Sequence, residues 1–210
     1  MRLVPVGDTA FSVQFGDAID EAANARVMAL MSAVRNADLP GVVELVPSFC
    51  ALLVVIDPLR TDFRSASTQV EAMAAQLGRG AGAQGHHWSL KVRYDGPDLD
   101  EVARACGLSP NEVVEAHAGT TYRVHMLGFL PGFAYMAELP PMIRLPRRSE
   151  PRLKVAAGSV AIADAMTAIY PWESPGGWHL IGHTDTILFD QVKTPPALLA
   201  PGDTVAFEVL

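Results

Sequence analysis

The chain has 210 residues, half of them apolar, with a formal net charge of −7 and a pI near 5.3. That length accommodates one large domain or two small ones around a sizeable core. The acidic balance argues against a nucleic-acid or anionic-membrane surface as the main partner, although a local basic patch can still hold a small anion.

The longest strongly apolar stretch, Ala51–Ile56, is too short to cross a bilayer, and the first residues lack the apolar core and cleavage site of a signal peptide, so a cytoplasmic address is expected. Only Cys50 and Cys106 are present, both among apolar neighbours, which implies no disulfide framework and suggests buried free thiols.

Arg2–Val6 and Ala10–Phe15 read as a hairpin turning at Gly7 and Asp8. Val27, Leu30, Met31 and Val34 recur at helical spacing in a segment that starts near Asp20. Val42–Val46 and Ala51–Ile56 are β-branched, apolar and separated by Pro47 and Ser48, as two further strands would be. Thr61 is placed to cap a second helix with Phe63, Val70, Met73, Ala74 and Leu77 on its apolar face. From the second strand this order is β-α-β-β-α, and one more strand would complete a ferredoxin-like α+β sandwich.

The stretch Gly78–Gly85 has a linker composition. It sets expected domains at residues 1–80, small and α+β, and 81–210. His87–Tyr94 is a strand that could close the first sheet or open the second domain. After a turn at Asp95, Gly96 and Pro97 come two short helices, the second with Ser109 as N-cap, Pro110 at its first position and Glu112 set for a reciprocal cap. Beyond Gly119 the runs Thr121–Leu127, Val155–Ala163, Ala168–Tyr170, Trp178–Ile181, Thr186–Phe189 and Val205–Val209 are short and separated by turns. That spacing favours a β-barrel or sandwich.

Chemistry concentrates between Leu127 and Thr184. Arg144, Arg147, Arg148, Arg152 and Lys154 fall within eleven residues and are opposed only by Glu150. Arginine suits bidentate recognition of carboxylate or phosphate, so a small anionic substrate is one reading and a solvated loop with surface ion pairs is the other.

His179 and His183, four apart on a strand, are expected on one face and too spread for a tight chelate; no metal motif is present. His183, between Gly182 and Thr184, is an acid/base or hydrogen-bonding candidate, with a structural histidine as the alternative, and His117 sits where it could complement a helix C-terminus. Ser159 lacks the second glycine of a nucleophile elbow, Ser174 reads equally as a turn residue, and Cys106 has only Arg104 nearby. Trp172, Trp178, Phe129, Phe133, Tyr135 and Tyr170 surround these loops, as core or as the walls of an apolar pocket.

The order GPDL (Gly96–Leu99), His117, LGFLPGFAYM (Leu127–Met136), PRRSEPR (Pro146–Arg152), AGSV (Ala157–Val160), IYP (Ile169–Pro171), SPGGWHLIGHT (Ser174–Thr184), LFD (Leu188–Asp190) and PGD (Pro201–Asp203) resembles the allophanate hydrolase subunit 1 family, also called the KipI or PxpB (5-oxoprolinase) family. The resemblance implies a small α+β N-terminal domain followed by a cyclophilin-like β-barrel. It also implies a subunit 2 partner of the PxpC type in a hetero-oligomer, and a hydrolase or carboxyltransferase-type activity on C–N amide bonds, with ATP used by the assembled complex and no cofactor assigned to this chain. One branch of the family instead inhibits a sensor histidine kinase, so a regulatory binding module is the alternative.

Carried onto this chain, the resemblance points to His183, Arg148 and Arg152 as catalytic, and to Ser159, Tyr170, Ser174, Gly176, Gly177, Trp178 and His117 as substrate-binding. The chain departs from the family pattern at Ala156 for a proline, at Ala161 and Ala168 for glycines, and at Asp164, Ala165 and Met166 in a turn that usually carries glutamine. Alanine where φ must be positive costs about 1 kcal/mol or more, so a changed path is expected from Ala156 to Ala168.

Overall fold

The computed structural model describes residues 1–77 and 85–210. The chain divides into two units, Met1–Gln84 and Gly85–Leu210. The linker-like residues 78–84 lie outside the described residues.

In the first unit, β1 (Arg2–Pro5), β2 (Ala10–Gln14), β3 (Val42–Pro47) and β4 (Ala51–Ile56) form an antiparallel sheet in the order β1-β2-β4-β3. Alternation puts Phe11, Val13, Leu52, Val54 and Ile56 into the core. They meet α1 (Glu21–Ala37) through Val27, Leu30 and Val34, and α2 (Phe63–Gln76) through Ala66, Val70 and Ala74. Asp20 caps α1 by accepting the Ala23 N–H at 2.7 Å. The cap of α2 is Asp62 and not Thr61: its carboxylate accepts the Ser65 N–H at 2.9 Å, in line with the stronger preference for Asp at this position. Arg60 and Thr61 instead hydrogen-bond the Asp57 carbonyl, which places Thr61 in the preceding turn.

The second unit contains β5 (His87–Val92), α3 (Leu99–Cys106), α4 (Pro110–Ala118), β6 (Tyr122–Leu127), β7 (Ala134–Ala137), a 3-10 turn at Pro141–Ile143, and β8 (Arg152–Val155). These are followed by β9 (Ser159–Ala163), β10 (Met166–Ile169), β11 (Ser174–Gly176), β12 (His179–His183) and β13 (Thr204–Val209). The anticipated capping box on α4 is present, with Ser109 and Glu112 satisfying each other's backbone donors. Seven strands line up as β12-β9-β10-β7-β6-β13-β5. The open edges then meet: Arg93, just past β5, bridges His183 at the end of β12, with N–H···O distances of 2.9 and 2.8 Å. The sheet is therefore a nearly closed barrel, which removes most of its unpaired edge.

Inward-facing Leu90, Val92, Tyr122, Val124, Met136, Val160, Ile162, Ile169, Val205 and Phe207 fill the interior, joined by Val102 of α3 and Val113 of α4. β5 belongs to this sheet, in parallel register with β13, and leaves the first sheet with β1 at the edge beside β2. The predicted strand Val155–Ala163 is two strands, because Gly158 at φ +81° turns the chain between β8 and β9. Thr186–Phe189 is not a strand, apart from a single bridge between Phe189 and Ala197. Both cysteines are free and only partly buried, and burial raises each thiol's pKa. Among the described residues, no helix is long and apolar enough to cross a membrane.

Candidate active site

The cationic stretch splits in two. Arg144, Arg147 and Lys154 stay near the surface: Arg144 donates to the Leu139 carbonyl at 2.6 Å, Arg147 lies 3.8 Å from Asp164, and Lys154 lies 2.9 Å from Glu173. Arg148 and Arg152 turn inward and converge on Asp98, whose side chain is 3% exposed. Asp98 Oδ1 accepts from Arg148 Nη1 at 3.2 Å and from Arg152 Nη2, and Oδ2 accepts the Leu180 N–H at 2.7 Å. A carboxylate this deep is tolerable only with opposite charge and hydrogen bonds around it, and here it has both.

Local sequence explains the convergence. Asp98 precedes α3, but at φ −104° and ψ 0° its side chain makes no capping bond and is free to face β12 and the arginines. Arg152 begins β8, which pairs with β11 so that Gly176 stands opposite it, and the Arg148 N–H donates to the Gly177 carbonyl at 2.8 Å. Arg148, Arg152, Gly176 and Gly177 thus form one group. Beside it lies a cavity of about 320 Å³, lined by Glu101, Leu145, Arg147, Arg148, Ser149 and His179.

Tyr170 and Trp178 form a wall next to this group. With Phe133 and Tyr135 they make an edge-on aromatic cluster at centroid separations of 4.9 to 6.0 Å, and Phe133, Tyr170 and Trp178 are buried. Gly176 is required here, since a Cβ would sit 2.8 Å from Cζ of the Tyr170 ring. Burial raises the Tyr170 hydroxyl's pKa. Ser174 is buried in β11 and donates to the Pro175 carbonyl at 3.1 Å. Phe129, in the left-handed region at φ 67°, and Trp172 remain exposed.

His183 and Ser159 are register partners across β12 and β9, Ser159 being buried and His183 about one-third exposed. His183 Nε2 lies 3.4 Å from Asp185 Oδ1, and Arg93 grips the same carboxylate at 3.0 and 3.2 Å. The Arg93 guanidinium is the main reason the Asp185 carboxyl titrates below its usual range. Gly158 lies against the imidazole, and a Cβ there would be 2.6 Å from His183 Cε1.

His179 does not share a face with His183. A bulge between Leu180 and Gly182 places His179 opposite Ile162 and His183 opposite Ser159, an odd offset along β9 that reverses the alternation. The Nε2 of His179 donates to the Pro146 carbonyl at 2.9 Å.

His117 is in the barrel interior, apart from the other candidates. Thr167 donates its only hydroxyl proton to the Ala161 carbonyl at 3.1 Å, so it accepts from His117 Nε2–H at 2.8 Å. Nδ1 is then the acceptor for the Tyr94 hydroxyl at 2.8 Å. Burial pulls the imidazole pKa down to about 3, which keeps the ring neutral.

Ala161 and Ala168 face one another as paired residues inside β9 and β10, fully buried and with no positive φ, so neither position demands glycine. The backbone strain anticipated for alanine at these two residues is absent. Of the positions that depart from the family pattern, only Asp164, in the β9–β10 turn, has a left-handed conformation, at φ 52°, and it faces Arg147. Sequence reasoning missed Asp98, Glu101 and Asp185. An acid before a helix reads as a cap, although Asp98 sits within the GPDL segment itself.

The second unit is thus a nearly closed barrel that carries an acid-centred arginine pair beside a small cavity. The chain belongs to the carboxyltransferase domain family, subdomain C and D, whose model matches residues 1–199. It is 37% identical to the B component of 5-oxoprolinase from Bacillus subtilis (strain 168), over 98% of this chain and 91% of that protein. It is 40% identical to the B component of 5-oxoprolinase from Escherichia coli O157:H7, over 98% of this chain and 94% of the relative. The solved structure of TTHA0988 superposes with a TM-score of 0.86 at 39% identity, covering 96% of this chain and 40% of that longer chain.

Proposed function

We propose that this chain is one component of a two-subunit, ATP-dependent hydrolase of C–N amide bonds, acting in the cytoplasm on 5-oxoproline in an active site shared with a subunit 2 (PxpC-like) partner. The relatives' shared designation, the B component of 5-oxoprolinase, supports the reaction class. In this reading the first unit is a ferredoxin-like sandwich with β1 at the position of its last strand, and the second is a cyclophilin-like barrel. The observation that carries the site is the arginine pair held on Asp98 beside an open cavity.

Arg148 and Arg152 bind the substrate carboxylate, orienting the lactam for the step that ATP drives in the complex. His183, set by Asp185, donates or accepts a hydrogen bond near the reacting carbonyl. The Ser174–Trp178 segment, stiffened by the aromatic cluster, shapes the wall. The test is ATP turnover by the purified two-subunit complex with 5-oxoproline, urea and allophanate in turn. Turnover is expected with 5-oxoproline alone. Arg148→Ala and Arg152→Ala should each lower kcat/KM by a factor of ten or more, about 1.4 kcal/mol of lost stabilisation. Unchanged kcat/KM in both variants would overturn the assignment.

A further inference from the structure

Two carboxylates share one guanidinium nitrogen, which has an N–H for each. Arg148 Nη1 donates to Asp98 at 3.2 Å and to Glu101 Oε2 at 3.1 Å. The two acids are held very differently. Asp98 is 3% exposed and fixed by Arg152 and the Leu180 N–H as well. Glu101, in the first turn of α3, is 52% exposed, and among the described residues Arg148 is its only ion-pair partner. Glu101 also lines the cavity of about 320 Å³ beside Arg148.

We infer that Glu101 is an internal competitor for the substrate: its carboxylate occupies the place on Arg148 that a small monocarboxylate takes, and it moves to solvent when that ligand binds. The inference rests on the reading of Arg148 as an anion-binding residue. An exposed ion pair is weak, so displacing Glu101 costs little, whereas the buried Asp98 contact stays in place and keeps the guanidinium aimed. The charges also set the ligand class. With Glu101 displaced, Arg148 and Arg152 against Asp98 leave one positive charge unmatched, while Arg147 remains beside Asp164 at 3.8 Å. One unmatched charge complements a single carboxylate better than a dianionic phosphate.

The experiment is equilibrium binding of 5-oxoproline to the assembled two-subunit complex by calorimetry, with KM measured alongside. Glu101→Gln and Glu101→Asp, the latter one methylene too short to reach, should both tighten binding by about threefold, the range of an exposed ion pair. Inhibition by acetate should tighten with them, and the unfolding midpoint should not rise. A merely structural Glu101 would leave affinity unchanged or weaken it, and either result overturns the inference. If Arg148→Ala also leaves 5-oxoproline binding intact, the carboxylate does not sit on Arg148 and the functional reading falls with it. If Arg148→Ala weakens binding while neither Glu101 variant tightens it, only the present inference fails.

Discussion

Asp98 and Leu180 exchange two hydrogen bonds: the Asp98 N–H donates to the Leu180 carbonyl at 3.0 Å, and the Leu180 N–H donates to the Asp98 carboxylate at 2.7 Å. The same carboxylate holds Arg148 and Arg152, so one side chain ties the start of α3, strand β12 and the 148–152 segment together.

Asp98→Ala should therefore destabilise the second unit by about 3 kcal/mol, because it strands the part-buried Arg152 guanidinium and a backbone donor and leaves Arg148 with only the exposed Glu101. Asp98→Asn keeps an acceptor and should lose less. All three tryptophans, Trp88, Trp172 and Trp178, lie in this unit, so urea unfolding followed by their fluorescence reports it directly. Equal losses for the two variants would assign the whole effect to the charge, and no loss for Asp98→Ala would contradict the role given to this carboxylate.

The barrel seam offers a second expectation. Gly182 lies where an added Cβ would be 2.6 Å from the Arg93 carbonyl, and that carbonyl accepts the His183 N–H. Gly182→Ala should part the seam. Amide hydrogen exchange at Arg93 and His183 should rise sharply while β6, β7 and β10 stay protected. Unchanged exchange at those two amides counts against the seam as the closing contact.

His117 predicts a pH dependence of stability. Its folded pKa, about 3, lies below the ordinary value of 6.5, so the unfolded chain binds the proton more readily. The contribution is complete above pH 6.5 and declines as pH falls from there toward 3, by about 1.4 kcal/mol per pH unit. His117→Gln should be less stable at pH 7 yet show a flatter profile between pH 6 and 4. Parallel profiles in urea titrations of the two proteins would show that another group titrates.

Local signals in this sequence were informative wherever the interaction partners were neighbours. The Ser109–Glu112 cap, the hairpin at Gly7 and the faces of α1 and α2 follow from spacing and short-range chemistry. What remained hidden depends on distant residues. Asp98 looks like a helix cap until Arg148 and Arg152 arrive fifty residues later in the chain. The opposite orientations of His179 and His183 depend on one bulge that alternation cannot anticipate. Ala161 and Ala168 looked strained against a glycine pattern, and the register explains why they are not: each is an ordinary strand residue facing the other.

The pairing of β5 with β13 also constrains how the molecule is made. His87 and Thr204 are hydrogen-bonded across 117 residues, so β5 is synthesised long before the strand that covers it. Such a contact closes a very long loop, which slows folding. Throughout that interval β5 exposes an unpaired edge with Leu90 and Val92 ready to adhere to another chain. Production of this protein should accordingly be limited less by the stability of the finished barrel than by protection of its first strand until its last one exists.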